Sequence, residues 1–450
     1  MKNRRFCSLF LIISLISSLL CTLVQAEEPF EVQAEAAILV EEATGEILYE
    51  KNSHNKQYPA SITKIMTSLL VLEAVERGEL SLSDPISASS SALKGLPRDG
   101  SSAGIKVGEV LSVEQLLNCM LIVSANEACN ILAEAVTGDI ASFVERMNTR
   151  ARELGCNNTH FVNTSGLHDE NHYTTAYDIY LIAKACMEHD LFTSICGSKS
   201  AEIPATNLSD ARTLHSTNAL ISNWNRIGYL YRYAKGLKTG STSEAGFCLL
   251  SLAEKDGRKL VSVVLGARQI PRESDGKMRI MSFDETVRLF NHGFDNFSRK
   301  KIISADEAIC EVAVELSSEA NYVVAHPAHS LERMLPNSLS PSALERSVTL
   351  YADSVEAPIA AGDALGEITL SYEGTVYGTV ALLALSDVSA SWILLAERSI
   401  GEFFARPIVK IIAVILLALL VLVIVIRARR ASRRRNRRKR YSSVGNYRGR

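Results

Sequence analysis

Residues 411–426 are sixteen consecutive apolar residues, and twelve Lys or Arg follow them across 427–450 with no Asp or Glu. Counted from Pro407 the stretch is twenty residues, with Lys410 near its front edge. Twenty helical residues rise about 30 Å, the thickness of a bilayer's hydrocarbon core, and a lysine stem lets its ammonium reach the nearer interface. The pattern predicts a membrane-spanning helix over 407–426. The positive-inside rule places the tail, 427–450, in the cytoplasm and the body, 27 to about 406, on the extracytoplasmic face of a cell membrane crossed once. A tail of this charge can also bind nucleic acid or a protein partner; a topology determinant resting on anionic lipid is the plainer reading.

The start of the chain reads as a secretory signal over 1–26. Lys2, Arg4 and Arg5 precede an uncharged apolar run, and Val24-Gln25-Ala26 has the small-x-small pattern of a cleavage site. An uncleaved anchor is the alternative. Lipidation of Cys21 is disfavoured, because Leu20 stands where a small residue is usual. The formal charge of −2 over 450 residues conceals a split: without the twelve charges of the tail, the three at the start and Lys410, residues 27–409 carry −18. An acidic body excludes a nucleic-acid-binding core. At 22% charged and 47% hydrophobic, extensive disorder is excluded too. Seven cysteines remain after the signal (Cys119, Cys129, Cys156, Cys186, Cys196, Cys248 and Cys310), an odd number without a CxxC. Free buried thiols fit this better than a disulfide framework, and a body of this size can be stable without bridges.

Hydrophobic periodicity divides the body. Residues 36–50 read as a hairpin turning at Thr44-Gly45. Ile62, Ile65, Met66, Leu69, Leu70, Leu72 and Val75 keep helical spacing as far as Gly78. Residues 86–108 look like a Ser/Gly-rich loop. A helix over Val113, Leu116, Leu117, Met120 and Leu121 breaks at Ser124-Ala125-Asn126 and resumes through Leu132, and further helices fall near 140–155 and 175–190. Residues 247–253 and 260–265 read as paired strands joined by Asp256-Gly257, and 280–297 as a closing helix. From 302 to about 389, short β-type runs between polar turns predict a separate all-β domain.

Three short motifs carry the chemistry. In Ser61-Ile62-Thr63-Lys64 the serine and lysine share one helical face. A serine hydroxyl is a weak nucleophile until a base takes its proton, and Lys64 can do so once desolvation or a second cation lowers its pKa. The helix start adds backbone N–H groups for a developing oxyanion. An N-cap serine beside a surface lysine is the plain alternative. In Ser124-Ala125-Asn126, Ser124 can relay a proton and Asn126 can hold a substrate amide; the alternative is an ordinary Ser/Asn turn. In Lys238-Thr239-Gly240 the lysine supplies a cation, the threonine a hydroxyl for a carboxylate, and the glycine close backbone approach. A loop glycine beside a solvated lysine is the alternative there, and the spacing of a phosphate loop fails.

SxxK, then Ser-x-Asn about 60 residues on, then KTG about 110 further, is the order of penicillin-recognising serine enzymes. The stretches Tyr58-Pro59-Ala60-Ser61-Ile62-Thr63-Lys64-Ile65-Met66-Thr67, His172-Tyr173-Thr174-Thr175-Ala176-Tyr177-Asp178 and Gly236-Leu237-Lys238-Thr239-Gly240 resemble the low-molecular-mass penicillin-binding proteins. In particular they resemble D-alanyl-D-alanine carboxypeptidases of the penicillin-binding protein 5 type. The likeness covers 30–297 and, more loosely, the segment to about 390. It implies an α/β (α+β) fold: a β-lactamase/transpeptidase-like catalytic domain over 27–297, with an antiparallel sheet and a helical subdomain, then a small all-β domain over 298–395.

The resemblance also implies roles. Ser61 attacks the penultimate D-Ala carbonyl of a peptidoglycan stem peptide ending in D-Ala-D-Ala, and Lys64 is its general base. Ser124, coupled to Lys238, passes a proton to the leaving D-Ala. The N–H groups of Ser61 and Ser241 form the oxyanion hole beside Gly240. Asn126 positions the substrate amide, and Thr239 and Arg272 hold the terminal carboxylate. The two lysines lower each other's pKa, β-lactams acylate Ser61 as substrate mimics, and no cofactor is required. Two departures stand out: Ala125 where members usually have Gly, and Ser241 where a His or another large residue is common. If residue 241 acts through its N–H the change is harmless; if its side chain orients the deacylating water, turnover is slower.

A metal site is not expected. HExxH is missing, the only HxxE (His329 to Glu332) falls in the β domain, and His168 and His172 sit in a loop context. The rival readings are a β-lactamase or DD-endopeptidase on the same site, and a non-catalytic membrane-anchored wall-binding protein.

Overall fold

The computed structural model describes residues 30–272 and 276–444, with side chains to 435. The expected signal over 1–26 lies outside the described residues. The chain divides into two units at Ser298/Arg299.

The first unit is built on a six-stranded antiparallel sheet. Its strands are β1 (Ala36–Glu41), β2 (Ile47–Lys51), β3 (Ala234–Gly236), β4 (Thr239–Thr242), β5 (Gly246–Lys255) and β6 (Arg258–Ala267). The order is β2-β1-β6-β5-β3, with β4 also on β5, so β3 and β4 run end to end along one edge. Strand β1 is buried along its whole length, because helices cover both faces of the sheet. Asp256 and Gly257 both take positive φ, as a type I′ turn requires, and join β5 to β6 in a tight hairpin.

Helix α1 (Lys64–Glu76) is buried on nearly every side, in keeping with a run that is apolar almost all round. Around it pack α2 (Val113–Ile122), α3 (Asn126–Thr137), α4 (Ile140–Glu153), α5 (Ala176–Met187) and α6 (Asp190–Gly197). Ile65, Met66, Leu69 and Leu70 share one core with Leu117, Leu132, Phe143 and Ile179, and with Ile38, Leu250 and Val263 of the sheet. Helix α7 (Met281–Asn296) lies so close on the other face that a Cβ on Gly293 would come within 2.8 Å of Leu39 and Leu260. Residues 86–108, read as loop, include a short strand (Pro85–Ser87) and a single helical turn (Ser90–Leu93). Both are too short for periodicity to reveal.

The second unit carries a six-stranded sheet of β7 (Cys310–Glu315), β8 (Tyr322–Pro327), β9 (Glu345–Leu350), β10 (Ser354–Glu356), β11 (Ala364–Tyr372) and β12 (Thr375–Ala384), in the order β9-β11-β12-β8-β7-β10. Burial alternates along β7 and β8, the period-2 pattern of a half-buried sheet. Val312, Val323, Ile368 and Leu382 face one core. Helix α8 (Trp392–Ala405) buries no residue, and α9 (Pro407–Val444) is long and apolar enough over Pro407–Arg435 to cross a membrane.

Candidate active site

The first motif begins in a 3₁₀ turn, Ala60–Thr63, that passes directly into α1. Residues three apart eclipse each other in 3₁₀ geometry, which stacks Lys64 on Ser61 more closely than an α-helix would. Ala60 is held at φ 47°, a costly conformation for a residue with a Cβ. Gly166 explains how it is held: at φ +83° its backbone lies against Ala60, where a Cβ would come 1.8 Å from the Ala60 carbonyl oxygen. Ser124 (φ 65°) and Leu237 (φ 88°) are strained in the same way. Each of the three motifs therefore sits on or beside a left-handed residue. Ala125, by contrast, has φ −56°, so a methyl in place of glycine costs no backbone strain.

Lys64 and Lys238 are both fully buried. Lys64 Nζ lies 2.9 Å from Ser61 Oγ, 2.8 Å from Asn126 Oδ1 and 2.7 Å from the Ser165 carbonyl oxygen. The last two are pure acceptors. A neutral amine satisfies both with its two hydrogens and turns its lone pair to the Ser61 hydroxyl. Burial pushes the Lys64 pKa down, against the weaker opposite pull of Cys129 and Glu127. Lys238 Nζ is 3.0 Å from Ser124 Oγ and 2.9 Å from the Thr239 carbonyl oxygen. Burial first, and the Lys64 charge second, bring Lys238 down to about 7. Desolvation is thus the main cause at both lysines, and repulsion between them adds to it at Lys238 alone.

Strand pairing sets the backbone donors. Leu250 N donates to Lys238 O, so the hydrogen-bonded pairs across β4 and β5 are 238/250, 240/248 and 242/246. Thr239 and Ser241 accordingly turn their N–H groups to the unpaired edge of β4, and both residues line the cleft. Gly240 presses on the 3₁₀ turn, where a Cβ would come within 3.0 Å of Ser61 N. The cleft holds about 420 Å³ and is lined by Ser61, Ser124, Thr239, Gly240 and Ser241, with Ser101, Thr217, Arg226, Phe247 and Phe283 among the others.

A family model described as D-alanyl-D-alanine carboxypeptidase matches residues 22–269. The chain belongs to that family. A second model, described as penicillin-binding protein 5, C-terminal domain, matches 297–390. The chain is 29% identical over 372 residues to D-alanyl-D-alanine carboxypeptidase DacF of Bacillus subtilis (strain 168), an overlap spanning 82% of this chain and 90% of that one. It is 31% identical over 372 residues to D-alanyl-D-alanine carboxypeptidase DacC of Escherichia coli (strain K12), spanning 81% and 86%. Penicillin binding protein 5 from Haemophilus influenzae, a solved structure, matches with TM-score 0.61 and 27% identity, covering 80% of this chain and 99% of its own.

Within this carboxypeptidase-family fold, eight of the nine sequence-derived site residues come together: Ser61, Lys64, Ser124, Asn126, Lys238, Thr239, Gly240 and Ser241. Arg272 does not join them. It heads the turn between the short paired strands Gln269–Pro271 and Met278–Ile280, with an exposed side chain, and is not among the cleft-lining residues. Only the Ile280 end of that ribbon reaches the cleft, and Arg272 lies about three residues, or 10 Å, along it. Asn126 gives its carboxamide oxygen to Lys64, which leaves the NH₂ for any substrate carbonyl.

Several participants had no signal in the sequence. The Ser165 carbonyl is one. The Thr217 hydroxyl, 2.7 Å from that of Thr239, is another. His172 belongs to a quoted stretch, but its task emerges only here. Its Nδ1 accepts from Val162 N, so Nε2 bears the proton and donates to Thr63 Oγ1 at 2.8 Å, bracing the turn beside Ser61. Burial pushes its pKa down to about 4, which keeps the imidazole neutral. Both ring nitrogens are thereby used, and His168 packs edge-on to Tyr58. The seven described cysteines are free thiols, all buried but Cys310.

Proposed function

We propose that this chain is a serine-type D-Ala-D-Ala carboxypeptidase that removes the terminal D-alanine from peptidoglycan stem peptides. The observation that carries the reading is the pair of buried lysines, each seated on a serine hydroxyl in one cleft. Neutral Lys64 takes the Ser61 proton as Oγ adds to the penultimate D-Ala carbonyl. The oxyanion forms against the N–H groups of Ser61 and Ser241, and the Asn126 NH₂ holds the substrate amide. Ser124 gives its proton to the leaving D-alanine amine and is reprotonated from Lys238. The peptide C–N bond breaks, and D-alanine departs with its carboxylate drawn from the Thr239 hydroxyl. Water then adds to the acyl carbon, and Ser61 leaves with a proton returned through the same groups. β-Lactams acylate Ser61 by the first half of this sequence. The first unit works on the extracytoplasmic face, with 407–426 crossing the membrane and 427–450 inside.

Labelled penicillin and a pentapeptide stem test this together. The wild type is expected to take label and to release D-alanine, and Ser61→Ala to do neither. Equal labelling of the two proteins would overturn the nucleophile. Cleaved cross-links without free D-alanine would overturn the reaction.

A further inference from the structure

Glu127 is a buried carboxylate that the mechanism above does not use. It stands in the first turn of α3, one residue after Asn126. An acid there can serve the helix end alone, because unpaired backbone N–H groups gather at a helix start. Its Oε1 is spent elsewhere. That oxygen accepts from Ser102 Oγ at 2.7 Å, from Ala103 N at 2.7 Å and from Ile105 N at 3.5 Å. One buried oxygen thus gathers three donors from a single short segment. The same segment continues into the site. Asn126 N donates to the Ser101 carbonyl at 2.9 Å, and Ser101 lines the cleft. Gly100 closes on the Asn126 carboxamide, where a Cβ would lie 3.0 Å from Nδ2. Lys64 holds the Oδ1 of that carboxamide. The Asn126 side chain is therefore set by Lys64 at one end and by the 100–105 segment at the other.

We propose that Glu127 is a positioning residue: it fastens 101–105 to the start of α3, and so fixes the Asn126 carboxamide and the Ser101 wall that receive the substrate's acyl-side amide. The assignment rests on the carboxypeptidase reading above. Charge makes the tie firm, because hydrogen bonds to a carboxylate are shorter and roughly twice as strong as those to a neutral acceptor. Burial adds to this, since water does not compete for the bonds. Glu127 is not among the cleft-lining residues, so its effect passes through Asn126 and Ser101.

The test measures acylation of the full chain by two penams. One is a penicillin with its side-chain amide; the other is the same ring system with hydrogen in place of that amide, followed by competition with labelled penicillin. The proteins are the wild type, Glu127→Gln and Ser102→Ala. Glu127→Gln keeps the shape and removes the charge, and Ser102→Ala removes one donor from an exposed residue. Arg212 also donates to the Ala103 carbonyl, at 2.9 Å, so the segment keeps a second tie in both variants. Misplacement by about 1 Å costs on the order of 10²-fold, and this partial slackening is expected to shrink the preference for the amide-bearing penam about 10-fold in Glu127→Gln and about threefold in Ser102→Ala. Equal slowing with both penams would leave Glu127 a support of the helix end and overturn the assignment, as would unchanged rates. Should Glu127→Gln not melt cooperatively, Ser102→Ala decides: an unchanged preference there would overturn the assignment. A wild type that takes no penicillin label would overturn the carboxypeptidase reading itself.

Discussion

Gly240→Ala isolates the seating of β4 against the nucleophile. A Cβ at 240 would lie 2.9 Å from Pro59 O, 3.0 Å from Ser61 N and 3.1 Å from Ile62 N, whereas ordinary contact begins at 3.4 Å. All three are backbone atoms, so no side-chain rotation relieves the overlap. Strand and turn must part by about 0.5 Å, the difference between 3.4 and 2.9 Å. Overpacking of this kind costs about 1–3 kcal/mol, and each kcal/mol lowers Tm by roughly 2–4 °C in a unit of this size. The catalytic cost is larger. The Ser241 N–H moves with the strand, away from the oxygen it would stabilise, and misplacement by about 1 Å costs on the order of 10²-fold. Acylation by labelled penicillin is therefore expected to slow about 10- to 100-fold in a protein that still melts cooperatively. Acylation within twofold of wild type, together with a Tm within about 1 °C, would mean that β4 does not seat Ser61, and would refute the reasoning.

Two further outcomes follow from burial and exposure. Lys238 sits at about 7 when folded against 10.5 for an ordinary lysine, so between those values the unfolded chain binds the extra proton. Folding is penalised below about 7, and the penalty fades as pH rises towards 10.5; Lys238→Met should flatten this rise in Tm, and parallel wild-type and variant curves from pH 7 to 10 would refute it. The second concerns the end of the chain: α8 buries nothing, and α9 exposes its apolar side chains from Ile408 to Ile426. Ending the chain at Ser391 should move the protein from the membrane fraction to the soluble one with penicillin labelling intact, and retention at the membrane would refute the anchor.

Much of the site was legible because its motifs are local. Ser61 and Lys64 meet through helical spacing, and the break at Ser124 and the glycine at 240 mark places where regular structure must stop or approach closely. The sheet's central hairpin was equally plain from two apolar runs around Asp256-Gly257. The loop from 221 to 230 was not, since it has no periodicity and its ties run to His215, Ser216, Arg279 and Ile280, residues nine to some fifty positions away. Arg272 suits a carboxylate by residue type, and only strand pairing shows which end of its ribbon reaches the cleft.

By itself the sequence determined the periodic elements, the three-motif order and the long apolar helix, because each depends on residues within a few turns of one another. Only the tertiary structure decided which protons can move. Lys64 is a base because packing removes water from it and the Ser165 carbonyl occupies a hydrogen of its neutral amine, while the same desolvation brings Lys238 to about 7, where it can give and retake a proton. Desolvation is a property of everything that surrounds a group. No spacing along the chain records it, and so the chemistry of the cleft belongs to the fold.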